Sequence, residues 1–188
     1  MRDRAVVVEV VPDPGAARSG AVETTGRESS TGSVANAQPN TTHEDDMQRS
    51  ASAIWYGSLQ DGRGELSSGS GVLATTPYSF RTRFENEKGT NPEELIGAAH
   101  AGCFSMALSM ILGQHGVTPK RIDTSATVTL DEVDEGFAIT RIDLETRVEA
   151  PDLEPATFEE AANAAKEGCP VSQVLDAEIT LNATLVTG

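Results

Sequence analysis

The chain of 188 residues carries 14 Lys and Arg against 29 Asp and Glu, a formal charge of −15, with 38% apolar and 4% aromatic residues. That length fits one domain or one domain with a tail, and the acidic balance repels phosphate backbones, so nucleic acid is excluded as the expected partner. Two Cys and three His are too few for a disulfide scaffold or a Cys-built zinc site, and no apolar run is read as reaching the roughly 20 residues that span a bilayer.

Residues 1–50 contain no Phe, Trp or Tyr, and from Pro12 to Asp46 the chain is mostly Ser, Thr, Gly, Asn, Ala and charge. Such a segment buries too little apolar surface to offset its ordering entropy. Residues 1–50 are therefore expected to be a disordered extension and 51–188 the folded domain. Ala5–Val11 has the apolar content of an edge strand, but Glu9 interrupts it, and with Asp3 ahead it makes a poor secretory core. Met47, after the acidic cluster Glu44-Asp45-Asp46, leaves two readings open: translation starting there, or a genuine tail.

From Ser52 the pattern becomes regular. Ser52–Gly57, Glu65–Ser67 and Tyr78–Glu85 are expected as short strands, with Asp61-Gly62 as a hairpin turn. Asn91 as N-cap, Pro92 at the first position and Glu93 and Glu94 in the first turn predict a helix that stops near Gly113 or Gly116. Between Ile96 and Leu112 that helix carries no charge unless His100 is protonated. It is expected to be buried on most faces, one side by a sheet and the other by a second subunit. Arg121–Asp131 and Phe137–Ala150 alternate apolar and polar residues around the turn Glu135-Gly136. A second helix is expected from the Thr157-x-x-Glu160 capping box to Gly168, a helical turn over Val171–Leu175, and a last strand over Glu178–Val186. The order is β-β-β-α-β-β-α-β, an α+β domain with antiparallel sheet.

The two thiols are Cys103, in the middle of the uncharged helix, and Cys169, between Gly168 and Pro170. A free Cys is most often a small buried hydrophobe, and 66 residues of separation make no C-x-x-C motif. Periodicity and spacing end at a candidate thiol pair. No G-x-G-x-x-G fingerprint is present, and no bound cofactor or metal is expected.

The segment Pro77-Tyr78-Ser79-Phe80-Arg81-Thr82-Arg83-Phe84-Glu85, the run from Glu87 to Leu108 with N-P-E-E-L at 91–95 and A-A-H-A-G-C at 98–103, and G-C-P-V-S at 168–172 resemble the OsmC/Ohr family, the osmotically inducible and organic hydroperoxide resistance proteins. The resemblance covers about residues 51–188, and A-A-H-A ahead of Cys103 is similar to the OsmC branch. It implies an OsmC-like fold, sheets wrapped around a long central helix in an intertwined homodimer. It also implies a cysteine-based peroxidase of oxidative and osmotic stress defence. Cys103 would be the peroxidatic nucleophile and Cys169 the resolving thiol. Arg83 and Glu93 match the catalytic Arg and Glu, and an external dithiol, lipoyl-type or other, would be the reductant. The expected location is the cytoplasm, with no membrane partner.

Each implied role has a chemical reason. Only a thiolate attacks an O–O bond, burial disfavours it, and a guanidinium restores it while donating to the peroxide oxygens. A carboxylate paired with that guanidinium fixes its fork. A dry site favours organic over hydrogen peroxide, since each buried methylene contributes about 0.8 kcal/mol. Glu93 and Cys103 lie ten residues apart on one helix, about 15 Å along the axis and about 80° around it. Either the helix breaks, at Gly97, or Glu93 serves the partner subunit's cysteine.

Arg81, two residues away on an expected strand, would share a face with Arg83. His100, one turn before Cys103, is a candidate general base for a Cys–His hydrolase, or a structural histidine against a strand. Met106 and Met110 would fill the core or line a pocket, and His43 and His115 have no evident partner. A binding module for small hydrophobic molecules is the third function class.

Overall fold

The computed structural model describes residues 6–12, 47–85 and 87–187. In chain order the elements are β1 (Val6–Pro12), β2 (Ala51–Tyr56), β3 (Arg63–Ser68), β4 (Thr76–Ser79), α1 (Phe80–Phe84), α2 (Pro92–Gln114), β5 (Arg121–Val133), β6 (Gly136–Glu149), α3 (Pro155–Gly168), α4 (Pro170–Val174) and β7 (Glu178–Thr187). They form a four-stranded sheet in the order β1-β7-β6-β5 and a three-stranded sheet in the order β2-β3-β4. The α+β class agrees with the sequence. A purely antiparallel sheet does not: β5 and β6 pair antiparallel, but β6–β7 and β7–β1 are parallel. The reason is connectivity. β7 returns through α3 and α4, and a helical crossover brings a strand back in the same direction.

The four-stranded sheet and the helices share one core. β6 turns Ile142, Leu144 and Val148 inward, and β7 turns Ile179, Leu181, Ala183 and Leu185 inward. Phe104, Leu108 and Leu112 of α2 and Phe158, Ala161, Ala162 and Ala165 of α3 cover them. Truncating a residue of this set, such as Leu108 at 0% exposure, would cost about 2–5 kcal/mol through lost transfer energy and a cavity.

Helix α2 starts where the sequence places it. Asn91 is extended (φ −148°, ψ 167°) and its side chain accepts from the Glu94 N–H at 2.8 Å, with Pro92 in the first turn. The helix ends in a Schellman closure: Val117 N–H donates to Leu112 O and Gly116 N–H to Gly113 O, both at 3.0 Å, with Gly116 at φ +75°. It runs unbroken through Gly97. That glycine is there for close approach, since an added Cβ would sit 3.0 Å from the Ala126 carbonyl of β5.

At 23 residues, α2 is long and apolar enough by length and composition to cross a membrane, which corrects the reading that no such run exists. Here it packs as a domain helix. Gly97, His100, Phe104, Leu108 and Leu112 form its buried stripe. The opposite face is open in the single chain: Ala98, Ala99 and Gly102 are exposed, and Met106 and Met110 are 76% and 61% exposed. The methionines are thus outside the core of the single chain.

Three further expectations are corrected. The segment Tyr78–Glu85 is not a strand throughout. It turns at Ser79 into the helical turn α1, closed by a reciprocal cap in which Ser79 Oγ accepts from Thr82 N–H and Thr82 Oγ1 accepts from Ser79 N–H. The second helix begins at Pro155 after Glu154, without a side-chain cap, so Thr157 lies inside it. Within the extension expected to be disordered, residues 6–12 form β1 on the sheet edge, pairing Val8 with Ala183 and packing it against the core. Glu9 is exposed, so its charge does not oppose that strand. The remainder of the extension through residue 46, with His43, lies outside the described residues.

The β2–β4 sheet is thinly covered. Every residue of β2 is exposed, Trp55 and Tyr56 among them, and Trp55 stacks on Tyr78 with centroids 5.4 Å apart. Gly64 is required there, because a Cβ would fall 2.2 Å from the Tyr78 ring.

Candidate functional site

The four candidate residues fall into two pairs at separate places along α2. The first pair is Arg83 and Glu93. The start of α2 is tied to α1, since Asn91 Nδ2 donates to Thr82 O at 3.1 Å while Asn91 Oδ1 holds the first turn. That tie sets Arg83, next in the chain, against Glu93. Arg83 Nε donates to both carboxylate oxygens at 3.2 Å and Nη2 donates to Oε1 at 2.7 Å, leaving Nη1 outside the fork. The Arg83 Cζ also lies 5.2 Å from the Phe84 ring centroid. Glu93 is the more enclosed partner, 11% exposed against 36% for Arg83. Bidentate geometry fixes the guanidinium plane.

Arg81 does not share this face. On a helical turn, two residues are about 200° apart, and Arg81 points instead to Glu85 at 3.8 Å. The same-face rivalry expected on a strand is therefore removed by α1.

Beside Arg83 is a cleft of about 270 Å³ lined by Trp55, Leu59, Tyr78, Phe80, Phe84 and Pro92. Sequence reasoning did not find this aromatic wall. It joins the β2–β4 sheet to both helices, and no local pattern places Trp55 beside Pro92.

The second pair is Cys103 and Cys169. Cys169 closes α3, its N–H donating to Ala165 O at 3.0 Å, and opens α4 (φ −61°, ψ 123°). Pro170 enforces that break, because proline disfavours helical backbone in the residue before it. The turn sets Cys169, fully buried, beside Cys103, which is partly buried, close enough to shift its pKa, and both are free thiols. Burial pushes the Cys103 thiol above its ordinary value of 9.0, and the neighbouring Cys169 adds to the rise. The Val171 N–H, one of the unpaired donors at the start of α4, acts the other way but does not outweigh burial.

Among the described residues, no cation is one of the groups that shift Cys103. Because α2 is continuous through Gly97, the break that would have folded Glu93 back onto Cys103 is absent. The Arg83–Glu93 fork stays about 15 Å along the axis from its own chain's Cys103.

His100 is fully buried, and its Nε2 lies 2.8 Å from Ser172 Oγ of α4. Burial lowers its pKa below the ordinary 6.5, so the ring is neutral at pH 7. It is not among the groups acting on Cys103. Ser172 is the residue that sequence reasoning passed over, although it stands three after Cys169 as His100 stands three before Cys103. No group of three or more metal-ligating side chains exists among the described residues.

The chain has relatives among known proteins. A family profile described as OsmC-like protein matches residues 85–184. The chain is 58% identical over 139 residues to the peroxiredoxin OsmC of Escherichia coli (strain K12), covering 74% of this chain and 97% of that protein. It is 30% identical to the organic hydroperoxide resistance protein OhrB of Bacillus subtilis (strain 168), over 65% of this chain and 88% of that one. The crystal structure of OhrB of Bacillus subtilis superposes with a TM-score of 0.54 at 26% identity, covering 71% of this chain and 97% of that one.

Proposed function

The chain belongs to the OsmC family, and from that premise we propose that it reduces organic hydroperoxides to alcohols with Cys103 as the attacking thiol and Cys169 as the resolving one. The observation that carries this reading is the thiol pair itself: a buried Cys169 held by a proline-enforced turn beside Cys103.

The Cys103 thiolate attacks the outer peroxide oxygen. An S–O bond forms, the O–O bond breaks, and the alkoxide leaves as alcohol with the proton the thiol gave up. Cys103 is now a sulfenic acid, oxidised by two electrons. The Cys169 sulfur then attacks the Cys103 sulfur. The S–S bond forms, the S–O bond breaks, and water leaves carrying the Cys169 proton. An external dithiol reduces the disulfide by exchange, and which dithiol serves is set by partners outside this chain.

The reacting form must be a thiolate, yet the chain alone pushes Cys103 toward the thiol. A homodimer resolves this. The open α2 face and the thinly covered β2–β4 sheet with its exposed Trp55 and Tyr56 are apolar surfaces that a second subunit would cover. In that dimer Arg83 and Glu93 serve Cys103 of the partner subunit. The aromatic cleft beside Arg83 would take the organic group of the peroxide, which favours organic hydroperoxides over hydrogen peroxide. The site of action is the cytoplasm, in defence against oxidative and osmotic stress.

A Cys–His hydrolase is disfavoured by His100, whose Nε2 is engaged by Ser172. A peroxide-consumption assay with dithiol reductant tests the reading. Cys103→Ser should abolish consumption, and Cys169→Ser should permit one attack per chain without sustained turnover through an internal disulfide. Full turnover in Cys103→Ser would overturn the assignment.

A further inference from the structure

Helices α2 and α4 are joined by two rungs of matched spacing. One is Cys103 with Cys169; the other is His100 with Ser172, one turn earlier on α2 and one turn later on α4. The second rung is buried at both ends, His100 at 0% and Ser172 at 1% exposure, with Nε2 and Oγ 2.8 Å apart. His100 Nδ1 is the one buried side-chain polar atom among the described residues that has no hydrogen-bond partner. The ring therefore has a single hydrogen-bond partner among the described residues. A histidine in an otherwise apolar stripe with Phe104, Leu108 and Leu112 is a costly choice for packing alone.

We infer that His100 and Ser172 are positioning residues for the resolving step, a buried hydrogen bond that fixes the register of α4 on α2 and so holds Cys169 within reach of oxidised Cys103. This rests on the peroxidase reading above. The second half-reaction is proton-neutral: the proton Cys169 gives up on forming its thiolate leaves with the departing hydroxyl as water. What it needs is an in-line approach of one sulfur to another, and a displacement of about 1 Å costs such a reaction up to 100-fold. α4 is only five residues long. Ser172, in its middle, is bonded to α2 through this hydrogen bond. The rung touches neither the peroxide nor the Arg83–Glu93 fork, so the first attack should be indifferent to it.

The experiment follows both half-reactions in one turnover. Reduced protein is mixed with one equivalent of tert-butyl hydroperoxide, quenched at intervals, and read by mass spectrometry for Cys103 thiol, dimedone-trapped sulfenic acid and disulfide. Ser172→Ala and His100→Ala should lose the Cys103 thiol at about the wild-type rate but form the disulfide about 10-fold or more slowly, with sulfinic acid accumulating under excess peroxide. Ser172→Thr keeps the hydroxyl, and His100→Gln keeps a polar group near the Nε2 position, so both should recover much of the resolving rate. Disulfide formation at the wild-type rate in both alanine variants overturns the inference, as does equal slowing in Ser172→Thr and Ser172→Ala. Equal slowing of both half-reactions would mean a structural role and likewise overturns it. Cys169→Ser separates the two claims: if that variant traps no sulfenic acid on Cys103, the peroxidase reading itself falls, and the positioning role with it.

Discussion

Replacing Arg83 by Ala removes a charge that acts on Cys103 only if the active site is shared between subunits. In the single chain, burial and Cys169 hold the Cys103 thiol above 9.0. At pH 7 the thiol form therefore dominates. A guanidinium within about 4–6 Å lowers a thiol by about 1–3 units, which raises the thiolate fraction at pH 7 by about 10-fold or more. The assay is iodoacetamide alkylation of Cys103 against pH, in a Cys169→Ser background so that only one thiol reports. Arg83→Ala should slow alkylation at pH 7 by about 10- to 100-fold and move the midpoint upward by about 1–3 units. Arg83→Lys keeps the charge but not the two-pronged contact with Glu93, and should fall between the two. The Val171 N–H is present in every variant, so it cancels in the comparison. An unchanged midpoint in Arg83→Ala would refute the charge argument and, with it, the placement of Arg83 at any Cys103.

Subunit mixing tests which chain supplies the fork. Cys103→Ser and Glu93→Ala subunits, each inactive alone, should regain up to about a quarter of wild-type peroxidase activity on random re-pairing, because one site per heterodimer then carries both lesions and the other neither; no recovery would assign Glu93 to its own chain's cysteine. A chain beginning at Met47 should keep its activity, since β1 lies at the sheet edge opposite β5, on which α2 packs. It should nevertheless melt lower, by about 2–4 °C per kcal/mol of lost edge pairing, whereas an unchanged melt would show that β1 contributes nothing. His100 has a depressed pKa in the fold, so the unfolded chain takes up its proton first as the pH falls through about 6.5. The stability His100 contributes is thus present above that pH and lost below it. Denaturant titrations should show wild type losing more stability between about pH 7 and pH 5 than His100→Gln, which gains no proton there; parallel losses would contradict the assignment.

What the sequence made legible follows one-sided burial. β6 and β7 were visible because alternate residues face one core, and α2 because Asn91, Pro92, Glu93 and Glu94 mark its start in order. Strand direction was not visible, since β6–β7 pairing is decided by the α3–α4 crossover and not by any residue of either strand. The aromatic run around Phe80 has strand propensity, but the reciprocal Ser79–Thr82 cap overrides it, and that moved Arg81 off the Arg83 face. Glu9 argued against β1 on composition, yet an edge strand exposes alternate side chains, so the charge costs nothing there. Of the site, the local meaning of Gly168-Cys169-Pro170 was readable as a turn, while the contact between His100 and Ser172, 72 residues apart, exists only in the fold.

The central claim is that one hydroperoxide is converted by this pair of thiols. Fully reduced protein treated anaerobically with one equivalent of an alkyl hydroperoxide, then alkylated, digested and analysed by mass spectrometry, reports it directly. The account predicts one alcohol released per chain and a single cross-linked peptide joining Cys103 to Cys169 within the same chain. Alcohol release with Cys169 still alkylatable and no such cross-link would contradict it.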